Sequence, residues 1–186
     1  MLERYLIAAV LLIASIPAAG QSDYDASRSP ISLNAGGSYS YFDAAYGAYH
    51  LMGLTAYANI SPLIWDRLSL EGEGRWLTLN ASRGFRQYTY LIGPRYQFAS
   101  SKRRGLHPYI KVLFGEGVID FPDHLAYGRY LVMAPAGGLD IAVNHRWRLR
   151  AEYEYQFWPD APGIPGSPSS FMTPNGLSAG LIYRIF

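Results

Sequence analysis

Between Trp147 and Phe157 every second residue is apolar: Trp147, Leu149, Ala151, Tyr153, Tyr155 and Phe157 alternate with Arg148, Arg150, Glu152, Glu154 and Gln156. Successive side chains of a strand point to opposite faces, so this period of two fixes an extended segment with one apolar and one charged face. A helix would scatter the same residues around its circumference. The alternation recurs along the chain from Ile31. Leu33, Ala35, Gly37, Tyr39 and Tyr41 oppose Ser32, Asn34, Gly36, Ser38 and Ser40; Met52, Leu54, Ala56, Ala58 and Ile60 oppose Gly53, Thr55, Tyr57 and Asn59. Leu68, Leu70, Gly72, Gly74 and Trp76 oppose Ser69, Glu71, Glu73 and Arg75, and Tyr88, Tyr90, Ile92, Pro94, Tyr96 and Phe98 oppose Thr89, Gly93, Arg95 and Gln97. Further strands follow at about Pro108 to Val118, Arg129 to Val143, Trp147 to Phe157 and Gly176 to Phe186, which makes eight. Pro135 falls inside the sixth, where a missing N–H predicts a bulge or irregular pairing; Pro94 raises the same question in the fourth.

Connections alternate in length. Longer segments join strands 1 and 2, 3 and 4, 5 and 6, and 7 and 8, and the last of them holds five of the twelve prolines. The other turns are mostly shorter. Long loops at one end and short turns at the other suit an up-and-down barrel.

Alternation alone leaves open which face is outside, since a soluble sheet also has one apolar side. Two features favour the apolar face outward. That face reads as uncharged along all eight strands, with aromatics gathered near both ends: Tyr39, Tyr41, Trp76, Tyr88 and Tyr155 at one, Tyr96, Phe98, Trp147 and Tyr183 at the other. Such girdles suit the two lipid interfaces. The polar face sets Arg75, Arg95, Lys111, Arg148, Arg150 and Arg184 against Glu71, Glu73, Asp140, Glu152 and Glu154. Charges enclosed in a narrow lumen must pair, because each unpaired ion costs several kcal/mol. Gly36, Gly53, Gly93, Gly115, Gly138 and Gly180 on the same face leave room for them. After residue 20 no apolar run is long enough for a membrane helix, so a membrane crossing would be made by strands.

The N-terminus carries Arg4, an apolar run from Tyr5 to Ile16, and small residues at Ala18 and Gly20. That order predicts a cleaved signal peptide over residues 1–20, a short periplasmic segment over 21–30 and a barrel domain over 31–186. With no cysteine there is no disulfide framework or thiolate metal site, and a net charge of +2 without a basic stripe argues against nucleic acid as a partner.

The even strand count, the Arg/Glu pattern of the inner face and the terminal strand Gly176 to Phe186 resemble the small outer-membrane β-barrel family that includes the transmembrane domain of outer membrane protein A and the opacity-type proteins. The resemblance covers Ile31 to Phe186. It implies a Gram-negative outer-membrane location, contact with lipid and lipopolysaccharide, and assembly by the barrel-assembly machinery through a C-terminal signal carried here by Tyr183 and Phe186. Tyr183 stands one position further from the end than the family pattern has it, because Ile185 intervenes.

An eight-stranded barrel is narrow enough for side chains to fill. The reading is therefore a monomeric, non-enzymatic barrel with a charge-plugged lumen, no cofactor and no metal, serving envelope structure or surface interaction through its outer loops. A narrow low-conductance channel is the alternative, and a lipid-modifying enzyme the third. Against the third, none of the four histidines, His50, His107, His124 and His145, shares a compact motif with a serine. Glu152 and Glu154 make a poor acid/base pair, since neighbouring arginines keep both ionised. Asp120, Asp123 and His124 form a small polar cluster in one outer loop.

Overall fold

The computed structural model describes residues 31–45, 50–62, 67–80, 85–99, 105–120, 127–161 and 171–185. The expected signal peptide and the segment 21–30 lie outside them, as do Phe186, Asp123 and His124. Eight strands follow one another: β1 (Ile31–Asp43), β2 (His50–Pro62), β3 (Leu68–Leu77), β4 (Arg86–Gln97), β5 (Leu106–Asp120), β6 (Tyr127–Ala142), β7 (Trp147–Tyr155) and β8 (Asn175–Arg184). Each pairs antiparallel with the next, and β8 returns to β1, so the sheet closes into a barrel with no free edge. Among the described residues there is no helix. The strands are those the alternation predicts, to within about two residues at most ends.

Burial runs inside out. Leu54, Leu70, Ile92, Ile110, Phe114, Leu131, Leu177 and Leu181 are exposed on the outer wall, while Glu71 and Asp140 are fully buried within. In water this arrangement would leave a broad apolar belt uncovered, so the barrel is built for lipid. Aromatic rings bound the belt as expected. Trp76 meets Tyr90 edge-on at the end opposite the termini, hereafter the outer end, and Trp147 packs 4.9 Å from Tyr183 at the other.

The outer wall is not free of charge, as the alternation had suggested. Glu116 on β5 and Arg129 on β6 face outward and form an exposed ion pair of 3.3 Å. Both lie toward the outer end, where β5 and β6 extend as the longest hairpin, and water rather than hydrocarbon can solvate them.

Pro135 produces no bulge. The β5–β6 register runs unbroken from Leu106↔Ile141 to Asp120↔Tyr127 and includes Val112↔Pro135. The missing donor acts on the other side. Met133 and Phe157 exchange both backbone bonds, at 3.0 and 2.8 Å, so alternate residues of β6, Pro135 included, turn their amides toward β7. The β6–β7 ladder accordingly lapses between Ala136↔Glu154 and the Met133↔Phe157 bridge. Pro94 acts likewise. It pairs with Leu70 of β3, while the β4–β5 ladder skips from Ile92↔Phe114 to Arg95↔Lys111 without changing register.

Candidate functional site

Among the described residues the lumen is where the fold gathers chemistry, and it has three levels. At mid-height nine charged side chains, from β3, β4, β5, β6 and β7, are buried together: Glu71, Glu73, Arg75, Arg95, Lys111, Asp140, Arg150, Glu152 and Glu154. They form one network. Lys111 Nζ donates to Glu71 at 2.8 Å and Glu73 at 2.7 Å, and lies 2.9 Å from Glu152 Oε2. Arg75 reaches Glu154 and Glu73, each at 2.5 Å, and Arg150 reaches Asp140 at 3.0 Å and both oxygens of Glu71 at 3.0 and 3.2 Å. Arg95 donates to Asp140 at 2.5 Å.

The three arginines of the network sit over aromatic rings. Arg75 sits 4.1 Å from the Phe42 centroid, Arg95 4.0 Å from Tyr109, and Arg150 4.1 Å from Tyr57. A guanidinium over a ring face gains cation–π attraction while its edge remains free to donate. The rings rest in turn on backbone without side chains: a Cβ on Gly176, Gly138 or Gly36 would run into Phe42, Tyr109 or Tyr57 respectively. The space left by these inward glycines is thus filled by aromatic rings, with the charges stacked on top.

Toward the outer end the lumen is mostly apolar, with Gln87 and Gln156 buried among the apolar side chains, which the sequence reading missed. Phe42, Leu51, Leu77, Phe85, Leu91, Leu113, Ile119, Val132, Ala134, Trp158 and Met172 form a buried cluster inside the barrel. Trp158 is fully buried and pairs through its backbone with Met172, drawing the residues after β7 across the opening. Its indole lies where a side chain on Gly117 would stand. Trp158 Nε1 donates to Gln156 at 2.9 Å, and Gln156 donates to Glu154 at 2.6 Å, so the apolar layer is bonded to the ionic one. The signal for this layer was broken alternation: consecutive apolar residues at Tyr41–Phe42, Trp76–Leu77 and Leu91–Ile92 mark positions buried on one face and lipid-facing on the other.

At the periplasmic end Arg148 is half-buried and Arg184 exposed. Neither has a carboxylate within ion-pair distance among the described residues, so the expected set of eleven divides into a network of nine and a pair of arginines at the mouth. Tyr183 faces outward in the periplasmic girdle, its hydroxyl accepting from Arg146 at 3.2 Å.

Glu73, Glu152 and Glu154 bring carboxylate oxygens within 4.8 Å of one another, a spacing a metal ion could use. Lys111 and Arg75 already occupy that role, bonding all three. His50 stacks on Tyr41 at the outer rim and His107 meets Gln97 at 3.2 Å near the periplasmic end; the barrel height separates them.

No protein-family profile matches the sequence, and no curated protein matches it. Solved structures do. The chain is similar to Neisserial surface protein A at 15% identity, with a TM-score of 0.54 over 83% of this chain and 97% of that one. It is similar to the N-terminal β-barrel domain of Pseudomonas aeruginosa OprF at 12% identity, with a TM-score of 0.53 over 82% and 97%. A de novo designed transmembrane β-barrel matches at 14% identity and a TM-score of 0.50, over 85% and 98%. The fold is therefore that of the small outer-membrane barrels, and a sequence designed with no natural ancestor shares it. Fold and lipid-facing wall together set the chain in the outer membrane.

Proposed function

We propose that the protein is a closed, non-enzymatic outer-membrane barrel that contributes envelope structure or surface interaction through its outer loops. In this reading residues 1–20 are removed on export, 21–30 remain in the periplasm, and the mature chain is a monomer inserted by the barrel-assembly machinery with Tyr183 and Phe186 as its signal, in contact with lipid and lipopolysaccharide. One observation carries the closure: the lumen is filled twice over, by the nine-residue ionic network and by the apolar layer that Trp158 caps. A channel needs a continuous wetted path, whereas at this level the polar side chains described, Gln87 and Gln156, are fully buried and bonded to each other at 3.3 Å among apolar neighbours. Catalysis needs a carboxylate or histidine free to move a proton, whereas every acid of the network is held by arginine or lysine. Function then falls to the outer loops, which an immobile barrel displays.

Planar-bilayer recording of the mature protein is the test. A closed lumen gives a silent bilayer, and reproducible unitary currents would overturn the reading. Replacing Trp158 alone leaves the ionic layer in place and should keep the bilayer silent.

A further inference from the structure

Below the ionic network the lumen opens into a polar cavity of about 170 Å³ at the periplasmic end, lined in part by Arg95, Arg148 and Arg184. Among the described residues Asp140 is the sole carboxylate on its wall, and it is already committed: it accepts from Arg95 Nη2 at 2.5 Å and from Arg150 Nε at 3.0 Å. Arg148 and Arg184 have no such partner among the described residues. Arg95 stands on the same wall, between this cavity and the network. Its side chain is 4% exposed, yet its Nε makes no hydrogen bond and stays 3.7 Å from the nearest oxygen of Glu71. That atom is buried and turned toward Glu71, so Arg95 bears on a ligand through its place on the cavity wall and not through its Nε.

Charge points the same way. The nine-residue network holds five carboxylates and four cations; Arg148 and Arg184 carry the lumen as a whole to one positive charge in excess. The excess sits wholly at the mouth. Ser32, Ser61 and Asn34 stand on the same wall and offer hydroxyl and amide groups. Guanidinium groups bind planar or tetrahedral oxyanions through paired N–H donors, and phosphate and carboxylate are the matching acceptors. A cavity of this size takes a phosphate or a carboxylate-bearing group of a few atoms together with some water.

We propose that this vestibule is a binding site for a small oxyanion, phosphate or carboxylate, entering from the periplasm, with Arg148 and Arg184 as its principal donors and Arg95 at its floor. The layers above it close the route outward, so the site is a dead-end pocket and conducts nothing. It goes beyond the loop-based role proposed above, and either can fail without the other.

The test is isothermal titration of inorganic phosphate, and separately of acetate, into the mature protein folded in non-ionic detergent micelles free of phosphate. Saturable binding of either anion is expected, weakened by tenfold or more in Arg148→Gln/Arg184→Gln and unchanged in Arg146→Gln, whose side chain lies outside the cavity. Phosphate binding alone marks a phosphate site; binding of both marks one for oxyanions at large. Loss of the unheated-gel mobility of the folded barrel would disqualify the double variant, and Arg184→Gln, at the exposed position, then replaces it with a smaller weakening expected. No saturable binding of either anion, or equal binding by the variants, overturns the site.

Discussion

Glu71→Gln separates a geometric network from a mere balance of charge. Glu71 is fully buried and accepts from Lys111 at 2.8 Å, from Arg150 at 3.0 and 3.2 Å and from Asn59 at 3.3 Å, with Arg95 Nε 3.7 Å away. By count the substitution is benign, because it leaves four carboxylates facing four cations. By position it is not. At an effective dielectric of 20, each full charge pair near 3 Å is worth about 5–6 kcal/mol, and Glu71 has two such partners and a third further off. Part of that is returned, since the carboxylate no longer has to be desolvated, but an amide turns an N–H₂ group toward donors that need an acceptor. Removing one member of a buried ionic set typically costs about 3–5 kcal/mol. We expect that loss in urea unfolding of the barrel in lipid vesicles, read by tryptophan fluorescence and by the heat-dependent gel shift. Glu116→Gln is the control, because its exposed pair with Arg129 is worth about 1 kcal/mol or less. If Glu71→Gln unfolds within about 1 kcal/mol of the parent, overall charge and not placement governs the lumen, and the network as described is refuted.

Ile92→Arg, on the exposed apolar belt, should cost about 2–4 kcal/mol in vesicles, and a change under about 0.5 kcal/mol would mean that this wall does not face lipid. Trp158→Ala removes a fully buried indole from the outer layer and should cost about 3–5 kcal/mol in the same unfolding assay. Pro135→Ala restores the amide that β6 lacks toward β7; a gain of about 0.5–1.5 kcal/mol is expected, with slow, protected hydrogen exchange of the amide introduced at position 135, and fast exchange there would show that the ladder gap has another cause.

The strands were legible because lipid and lumen impose opposite demands on alternate residues, and a period of two survives even where charges lie mid-strand, as at Glu71, Glu73 and Arg75. Burial of the network was readable for the same reason. What escaped was anything carried by position along the barrel axis. Leu91 and Leu113 occupy inward positions like those of Arg95 and Lys111 on the same strands, and only closure of the barrel sets them in a separate layer. Tyr57 and Tyr109 fell on the polar face with no role in sight, since a ring lying over the glycine opposite it on the neighbouring strand leaves no local trace. Pro135 invited a bulge because the sequence does not tell which neighbour its amide would face.

The three levels of the lumen are physically coupled. An apolar layer excludes water from the outer side of the network, which lowers the local dielectric and strengthens each ion pair while raising the cost of any charge left alone. Lys111 is suited to the centre of such a place: an ammonium has three donors that diverge, and they meet Glu71, Glu73 and Glu152, whereas a planar guanidinium could not serve three carboxylates disposed around it. The arginines are placed where a flat group fits, against Phe42, Tyr109 and Tyr57. Arg148 and Arg184 would be ruinous in that layer, unpaired as they are, and are tolerable only at the periplasmic mouth, where water or a ligand can reach them. The same dryness that closes the barrel to the outside is therefore what confines its uncompensated charge to the side where a periplasmic anion can meet it.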